Sequence, residues 1–429
     1  MAEIKRVIKN ISSYLAPIAR SNPLTDRLAR EFRFRIWLLS IRLRSSHGFS
    51  INEVIWINPN KIEYVSLQLR PNLYIGKLIG GKWDKSLLKF EDLDVYQAFR
   101  KRFIDKEDWD KTDFYKRILS EIQEGRVRWK CRNKKDFDER LKKIDGLYHI
   151  IKTKGYKSSK EVREDYNTYH DPMIKEDEVT VNIGRDGDLF FNDGRHRLSI
   201  AKVLNLSKIP VKVVVRHPEW VKFKHELLEY SRTRKGKLYQ PLTHPDLQDI
   251  PSHYGSFRFD LIRNNLSIRN GTVLDIGAQL GYFCHRFEEE GYDCYAVENN
   301  PTTVYFLEKL KEVEKRKFKI ISQSIFNYDK ENELVFDIVI ALNIFHHFLK
   351  SKRSYEELIH LLKRIRTKEL FFQSHKYDEP QMKGAYKNFH PEEFAQFLSK
   401  HTNLKYKLIG KTKDNRKIFK FYNNSKWKR

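Results

Sequence analysis

The chain predicts an α/β protein with two folded parts, and three observations lead there. From Thr272 to Asn343 apolar strand patterns alternate with helical ones, the signature of a parallel sheet covered on both faces. Residues 178–217 read strand, turn, strand, loop, helix, strand, which suits a smaller α+β domain. Positive charge gathers at both ends, and the N-terminal end carries a basic helical pattern. The expected division is a basic helical extension over 1–50, an α+β domain with helical insertions over 51–230, a linker over 231–256 and the α/β domain over 257–429.

Composition sets the outer limits. A 40% hydrophobic and 13% aromatic content supports packed cores despite 33% charged residues, so global disorder is excluded. Cys131, Cys284 and Cys294 form no C-x-x-C pair, which points to a reducing compartment and no structural metal. No apolar run approaches the ~18 residues of a membrane span. Lys5, Arg6 and Lys9 interrupt the start, against a signal peptide. A cytoplasmic protein is expected. Of the net charge of +26, residues 1–50 supply 10 Lys/Arg against 3 Asp/Glu, and residues 401–429 supply 10 against 1. Such ends attract an anionic surface or polymer: the inner membrane face, a charged glycan or nucleic acid. The alternative is a solvated, solubilising surface.

At 24–44, Thr25 or Asp26 can cap a helix on which Leu28, Phe32, Ile36 and Leu39 recur among arginines. Such a helix either lies on an anionic membrane or packs on its own protein. Ser66 to Arg70 alternates as a strand does, and residues 76–84 read as a glycine-bearing turn. Residues 91–124 carry charged helical patterns, and 134–154 is a charged helix stopped by Gly155. Val179, Val181 and Ile183 form a strand, and Arg185 to Asp188 a hairpin turn with an Asp-Gly signal. Leu189 to Asn192 returns as a strand. Arg195 to Leu204 is a helix with Leu198, Ala201 and Leu204 on one face, and Val211 to Val215 is the last strand.

Asp193-Gly194-Arg195-His196-Arg197 opens that helix. The first N–H groups of a helix lack partners and its dipole end is positive. Arg195 and Arg197 add two forks suited to phosphate oxygens, and a protonated His196 would add a donor. The alternative is that Arg195 or Arg197 pairs with Asp186 or Asp188 and holds the turn. The stretch 135–217 resembles the ParB/sulfiredoxin superfamily, whose members bind nucleotides with such a loop. Arg195 stands where sulfiredoxin has its cysteine, so sulfinic reductase chemistry is excluded. The resemblance implies ATP or CTP with Mg2+ at Gly194, Arg195, His196 and Arg197. It leaves open a nucleotide switch or a kinase. A kinase needs an acid, with Asp193 nearest and Asp177 or Glu178 behind it. The other reading of Asp193 is a carboxylate that caps local N–H groups.

Residues 231–256 are rich in Pro, Ser and basic side chains and read as a linker. Thr272–Ile276 is then a strand, Tyr282–Glu289 a helix, Cys294–Glu298 a strand, Thr302–Glu314 a helix, and Lys319–Ser322 and Val335–Leu342 strands. The first strand ends Asp275-Ile276-Gly277-Ala278-Gln279-Leu280-Gly281-Tyr282, an acid followed by a glycine loop and a helix. Gly277 and Gly281 let backbone approach a ligand closely. Glu298 ends the next strand before Asn299, where an acid can accept from two ribose hydroxyls.

Residues 255–429 resemble the class I S-adenosylmethionine-dependent methyltransferases, which have a Rossmann-like sheet. The resemblance implies S-adenosylmethionine held at Asp275, Gly277, Gln279, Gly281, Tyr282, Glu298, Asn299 and Asn343. A nicotinamide dehydrogenase would want three loop glycines and no acid before the first. Two departures stand: Gln279 replaces the middle glycine, and Ser322-Gln323-Ser324 lies where many members place an adenine-contacting acid.

Asn343 ends the fourth strand and Ile344-Phe345-His346-His347-Phe348 follows, at the edge where an open sheet binds ligands. Methyl transfer to a hydroxyl is helped by a base, and His346 or His347 titrates in a suitable range. Alternatively, one packs against Phe345 and Phe348 and the other lines the pocket. The signature of DNA amino-methyltransferases and the Pro-Cys nucleophile of cytosine C5 enzymes are both missing. The resemblance therefore favours a small-molecule, lipid or glycan hydroxyl as acceptor. The alternative is a nucleic-acid-associated methyltransferase targeted by a ParB-like module. Gln373, His375, Tyr386, Asn388 and His390 either line an acceptor pocket or form ordinary loop.

Overall fold

The computed structural model describes residues 54–66, 69, 77–157 and 178–423. The expected basic helix at 24–44, Asp177 and residues 424–429 lie outside them. The chain divides into two compact units, Met1–Glu226 and Leu227–Arg429.

The first unit holds a six-stranded mixed sheet. Its strands are β1 (Val54–Ile57), β2 (Ile62–Val65), β3 (Lys77–Leu78), β4 (Val179–Ile183), β5 (Leu189–Asp193) and β6 (Ile209–Arg216). The order is β1-β6-β4-β5-β2, with β3 paired to β6. β4 and β5 form the antiparallel hairpin that the Asp-Gly signal predicts, and β6 returns parallel to β4. Gly187, at φ +82, supplies the left-handed turn residue. Arg185 locks this turn: its Nε and Nη2 donate to the two oxygens of buried Asp84, each at 2.9 Å. Burial works against the Asp84 charge, yet Arg185 holds its carboxyl below the usual range. The turn's Asp186 faces Lys85 at 3.7 Å. The turn is thus held by Arg185.

Three helices, α1 (Asp94–Phe103), α2 (Asp113–Gln123) and α3 (Lys134–Lys154), bury an aromatic core. In α3 the buried positions Phe137, Leu141, Ile144, Tyr148 and Ile151 recur at helical spacing. Asn133 caps its start by accepting from the Asp136 N–H, and Gly155 stops it at φ +79. Helix α4 (Arg195–Val203) begins directly after β5, and α5 (Pro218–Arg232) spans the junction of the two units.

The second unit includes residues 231–256, which composition marks as a linker. There the Leu238 N–H donates to the Pro251 carbonyl at 2.8 Å and His253 N–H to the Leu238 carbonyl at 2.8 Å. Leu238 and Leu247 are fully buried. Helix α6 (Phe257–Asn264) leads into the sheet, whose elements are β7 (Thr272–Ile276), α7 (Tyr282–Glu289), β8 (Asp293–Val297), α8 (Pro301–Val313), β9 (Lys319–Ile321), β10 (Leu334–Leu342), α9 (Lys352–Arg364), β11 (Ile365–Gln373), α10 (Pro391–Thr402), β12 (Lys405–Lys411) and β13 (Lys417–Tyr422). The strand order is β12-β13-β11-β10-β7-β8-β9, and β11, β10, β7, β8 and β9 run parallel. Alternate residues serve opposite faces, and both faces are buried. Val273, Ile338, Ile340 and Phe371 pack on one side, and Leu274, Val339, Ala341 and Phe372 on the other.

The basic C-terminal stretch is part of this sheet. β13 pairs with β11 and buries Ile418, Phe419 and Phe421. Lys420 pairs with Glu369 at 2.5 Å, both side chains within 5% of full burial. The exposed Lys405, Lys407 and Lys411 lie on β12, the edge strand, where lysine discourages pairing with another sheet edge. Among the described residues, no helix is long and apolar enough to cross a membrane.

Candidate functional site

The C-terminal ends of β7, β8, β10 and β11 carry one connected polar cluster. The loop after β7 is shaped by three left-handed residues, Gly277 (φ +76), Gln279 (φ +56) and Gly281 (φ +79). A side chain at Gly281 would meet Leu307 Cδ1 at 2.5 Å, so close packing of α7 also requires the glycine. Gln279 replaces a glycine yet keeps a glycine-like conformation. Its N–H donates to Glu298 Oε2 at 3.0 Å. The other Glu298 oxygen accepts from the Asn299 and Asn300 N–H groups, each at 3.0 Å. Glu298 therefore accepts three backbone N–H groups, of which the one from Gln279 joins the loops after β7 and β8, and one lone pair of Oε2 remains.

Asp275 is buried at the end of β7. Burial, opposed by Arg258 and reinforced by Glu298, pushes its carboxyl up to about 7. Its Oδ2 has the Cys284 thiol at 4.0 Å. Tyr282, the first residue of α7, is also buried. Asn343, just beyond β10, is left-handed at φ +57. Its Nδ2 donates to the Tyr239 hydroxyl, and to Gln373 Oε1 at 3.1 Å, while its Oδ1 is buried without a partner.

Arg258, Tyr239, Tyr254 and the bond of Gln373 to Arg258 escape the sequence reading. Arg258 is 1% exposed, and its Nη1 donates to Gln373 Oε1 at 3.0 Å. Its Nε and Nη2 are buried without a hydrogen-bond partner. The guanidinium lies 3.7 Å from the Tyr254 ring and 5.1 Å from the Tyr239 ring. The loop motif signals nothing of these residues: Tyr239 and Tyr254 lie in the stretch 231–256 that composition marks as a linker, Arg258 follows it on α6, and Gln373 ends β11.

His346 and His347 follow Asn343 and meet His375 from the end of β11. The His346 ring is 4.1 Å from His347 and 5.4 Å from His375. Burial first, then the neighbouring imidazoles, pushes His346 down to about 2, so it is neutral. Both its nitrogens lack partners. His347 is exposed, and burial of part of its ring lowers it too. The Asn388 amide donates to the Tyr377 carbonyl at 2.8 Å, which turns its oxygen to His375 Nε2 at 2.8 Å. That orientation makes Nε2 the donor and leaves buried Nδ1 as an acceptor. Tyr377 and His390 stack at 3.9 Å, and Tyr386 is exposed. Among the described residues, no group of three or more His, Cys, Asp or Glu side chains is arranged to hold a metal.

In the first unit, Gly194 starts α4 at φ +92, and a Cβ there would meet Val179 Cα at 2.9 Å. Asp193 is exposed and accepts from the Gly194 N–H at 2.7 Å, and no side chain caps the first N–H groups of α4. Arg195 is exposed and Arg197 half-buried. His196 departs from expectation. Its ring stacks on Phe99 at 5.8 Å and meets Trp129 edge-on at 4.9 Å. Burial, with Arg140 and Arg195 nearby, pushes it down to about 3. A protonated His196 donating to phosphate is thereby corrected: the imidazole is a neutral member of the aromatic core. Burial likewise pushes the neighbouring Tyr156 up to about 12.

The methyltransferase-domain family matches residues 274–365. Among solved structures the chain is similar to monomeric WbdD, at 23% identity over 46% of this chain and 48% of that one, with a TM-score of 0.39. It is similar also to the bifunctional kinase-methyltransferase WbdD, at 21% identity over 46% of each chain and a TM-score of 0.39. The N-methyltransferase NodS from Bradyrhizobium japonicum WM9 shows 14% identity over 40% of this chain and 96% of that one, with a TM-score of 0.31. The chain spans about half the length of the WbdD structures. No curated protein matches it. The acid–glycine loop on a parallel sheet and the family match over 274–365 agree, and the second unit carries the domain of an S-adenosylmethionine-dependent methyltransferase.

Proposed function

We propose that the second unit binds S-adenosylmethionine between Asp275 and Arg258 and methylates a hydroxyl of a small molecule, lipid or glycan. One observation carries the reading. A buried cation with two unpartnered N–H groups and a buried acid stand at the same strand ends without pairing. An unpaired buried charge is costly, and a zwitterionic ligand end satisfies both at once. The ligand's ammonium would face Asp275, its carboxylate Arg258, and a ribose hydroxyl the remaining Glu298 lone pair. When bound, the cofactor supplies the methyl group.

His347 suits the base better than His346. It is open to solvent, whereas His346 is too weak a base at about 2. The acceptor oxygen takes the methyl group as its proton passes to an imidazole nitrogen, and S-adenosylhomocysteine remains. A mass-spectrometric screen of extracted metabolites, lipids and glycans, incubated with the protein and 13C-methyl S-adenosylmethionine, tests this. Labelled O-methyl product is expected, and labelled nucleic acid as the sole product would replace the acceptor class.

The first unit reads as a ParB/sulfiredoxin-like module that takes a nucleotide phosphate, ATP or CTP with Mg2+, at residues 193–197. Its support is the glycine-opened helix, whose start has no side-chain cap, with exposed Arg195 at its first position. Changing Arg195 to Ala should abolish nucleotide binding and leave the ligand-free melting temperature nearly unchanged, because this side chain is exposed. Binding that survives would sink the assignment.

A further inference from the structure

Among the described residues, the groups that surround the Arg258 guanidinium within hydrogen-bond or cation–π reach are uncharged. They are the Gln373 amide oxygen and the rings of Tyr239, Tyr254 and Phe283. Gln373 is 1% exposed at the last position of β11, and its Oε1 takes Arg258 Nη1 at 3.0 Å and Asn343 Nδ2 at 3.1 Å. Its Nε2 donates to Thr412 Oγ1 at 3.4 Å, and that hydroxyl donates to Asp414 at 2.5 Å. Asp414 also accepts from the Tyr254 hydroxyl at 3.3 Å, and the Tyr254 ring returns to Arg258 at 3.7 Å. The contacts form a closed ring that begins and ends on one guanidinium.

The acid of this ring stands at its far side. A buried guanidinium is most strongly held by a carboxylate, which would also neutralise it. Resting on the reading that Arg258 takes the cofactor's carboxylate, we infer that Gln373 is a positioning residue that fixes this guanidinium without quenching it. Its oxygen occupies one N–H and orients the plane. The unpartnered Nε and Nη2 remain for an incoming carboxylate. Specificity for a ligand that carries a carboxylate depends on the neutrality of residue 373. Glutamate has nearly the same size, and its charge would take the place of the ligand's.

Two ligands that differ only in that carboxylate, S-adenosylmethionine and decarboxylated S-adenosylmethionine, separate the possibilities by calorimetry on the full chain. Wild-type protein should prefer the carboxylate form by about 10-fold or more. In Gln373→Glu that preference should collapse towards one, with binding of the decarboxylated form retained. Gln373→Leu removes the hydrogen bond without adding charge, and should weaken binding yet keep the preference. An unchanged preference in Gln373→Glu overturns the inference. So does equal loss of both ligands in the Glu and Leu variants, which would mark a merely structural residue. Equal binding of both ligands by wild-type protein would instead overturn the role of Arg258, and the inference with it.

Discussion

Arg258 and Asp275 are buried at the same end of the C-terminal sheet, opposite in charge, and form no ion pair with each other. Pairing would satisfy the charges but leave little for a ligand. The separation costs folding stability and leaves the Arg258 Nε and Nη2 without a partner.

The Asp275 carboxyl makes cofactor binding depend on pH. Its ordinary value of 3.8 rises to about 7 in the ligand-free fold. Between those values the folded state binds more protons than the unfolded state, so this group's contribution to stability falls as pH rises, and levels off above about 7. A ligand ammonium favours the ionised form, so affinity for S-adenosylmethionine should increase from pH 5.5 to about 7.5. Titrations at pH 6.5 in buffers of different ionisation enthalpy should report proton release, and Asp275→Asn should abolish it. Binding independent of pH over this range would contradict the assignment.

Glu298→Ala should weaken cofactor binding by about 1.5–3 kcal/mol. The same change leaves the Gln279, Asn299 and Asn300 N–H groups without their acceptor and breaks the Gln279 bond between the loops after β7 and β8, so the melting temperature should also drop. Unchanged affinity in calorimetry would remove Glu298 from the site.

His196→Ala should cost about 2–4 kcal/mol of folding stability in denaturant titrations, because the ring fills the core between Phe99 and Trp129. Arg195→Ala should cost almost nothing in the same assay, since the side chain is exposed. A stable His196→Ala protein would return that histidine to the phosphate loop.

The basic C-terminal stretch forms part of the sheet. Removing 401–429 takes away β12 and β13, with Phe419 and Phe421 from the core, and should unfold the second unit. Charge reversal at Lys405 and Lys407 tests attraction to an anionic surface without that damage. Vesicles containing anionic lipid should bind the variant less at low salt, and equal binding would assign these lysines to edge protection alone.

Strand and helix positions were legible wherever apolar periodicity coincided with a turn signal. The β4–β5 hairpin, α4 and β6 fall where Asp186-Gly187 and the flanking alternation put them, and α3 ends at Gly155 as its glycine indicates. β7, α7, β8 and β10 were legible because both of their faces are buried and their runs are apolar. β12 was hidden because an edge strand exposes lysines and reads as a charged tail. The segment from 231 to 256 was hidden because its Pro and Ser content signals turns and says nothing of whether those turns pack. His196 misled because a histidine between two arginines carries no local mark of burial. The aromatic residues that enclose it are distant in sequence, from Phe99 to Trp129. Arg258 was missed for a related reason: its partners Tyr239, Tyr254 and Gln373 meet it only in the fold.

The most direct test is a calorimetric titration of S-adenosylmethionine into wild-type protein and into Arg258→Ala. Wild-type protein should bind one cofactor, and the variant should lose about 10- to 100-fold in affinity while binding decarboxylated S-adenosylmethionine as wild type does. No binding to wild-type protein, or equal affinity of the two proteins for S-adenosylmethionine, would contradict a cofactor site between Asp275 and Arg258.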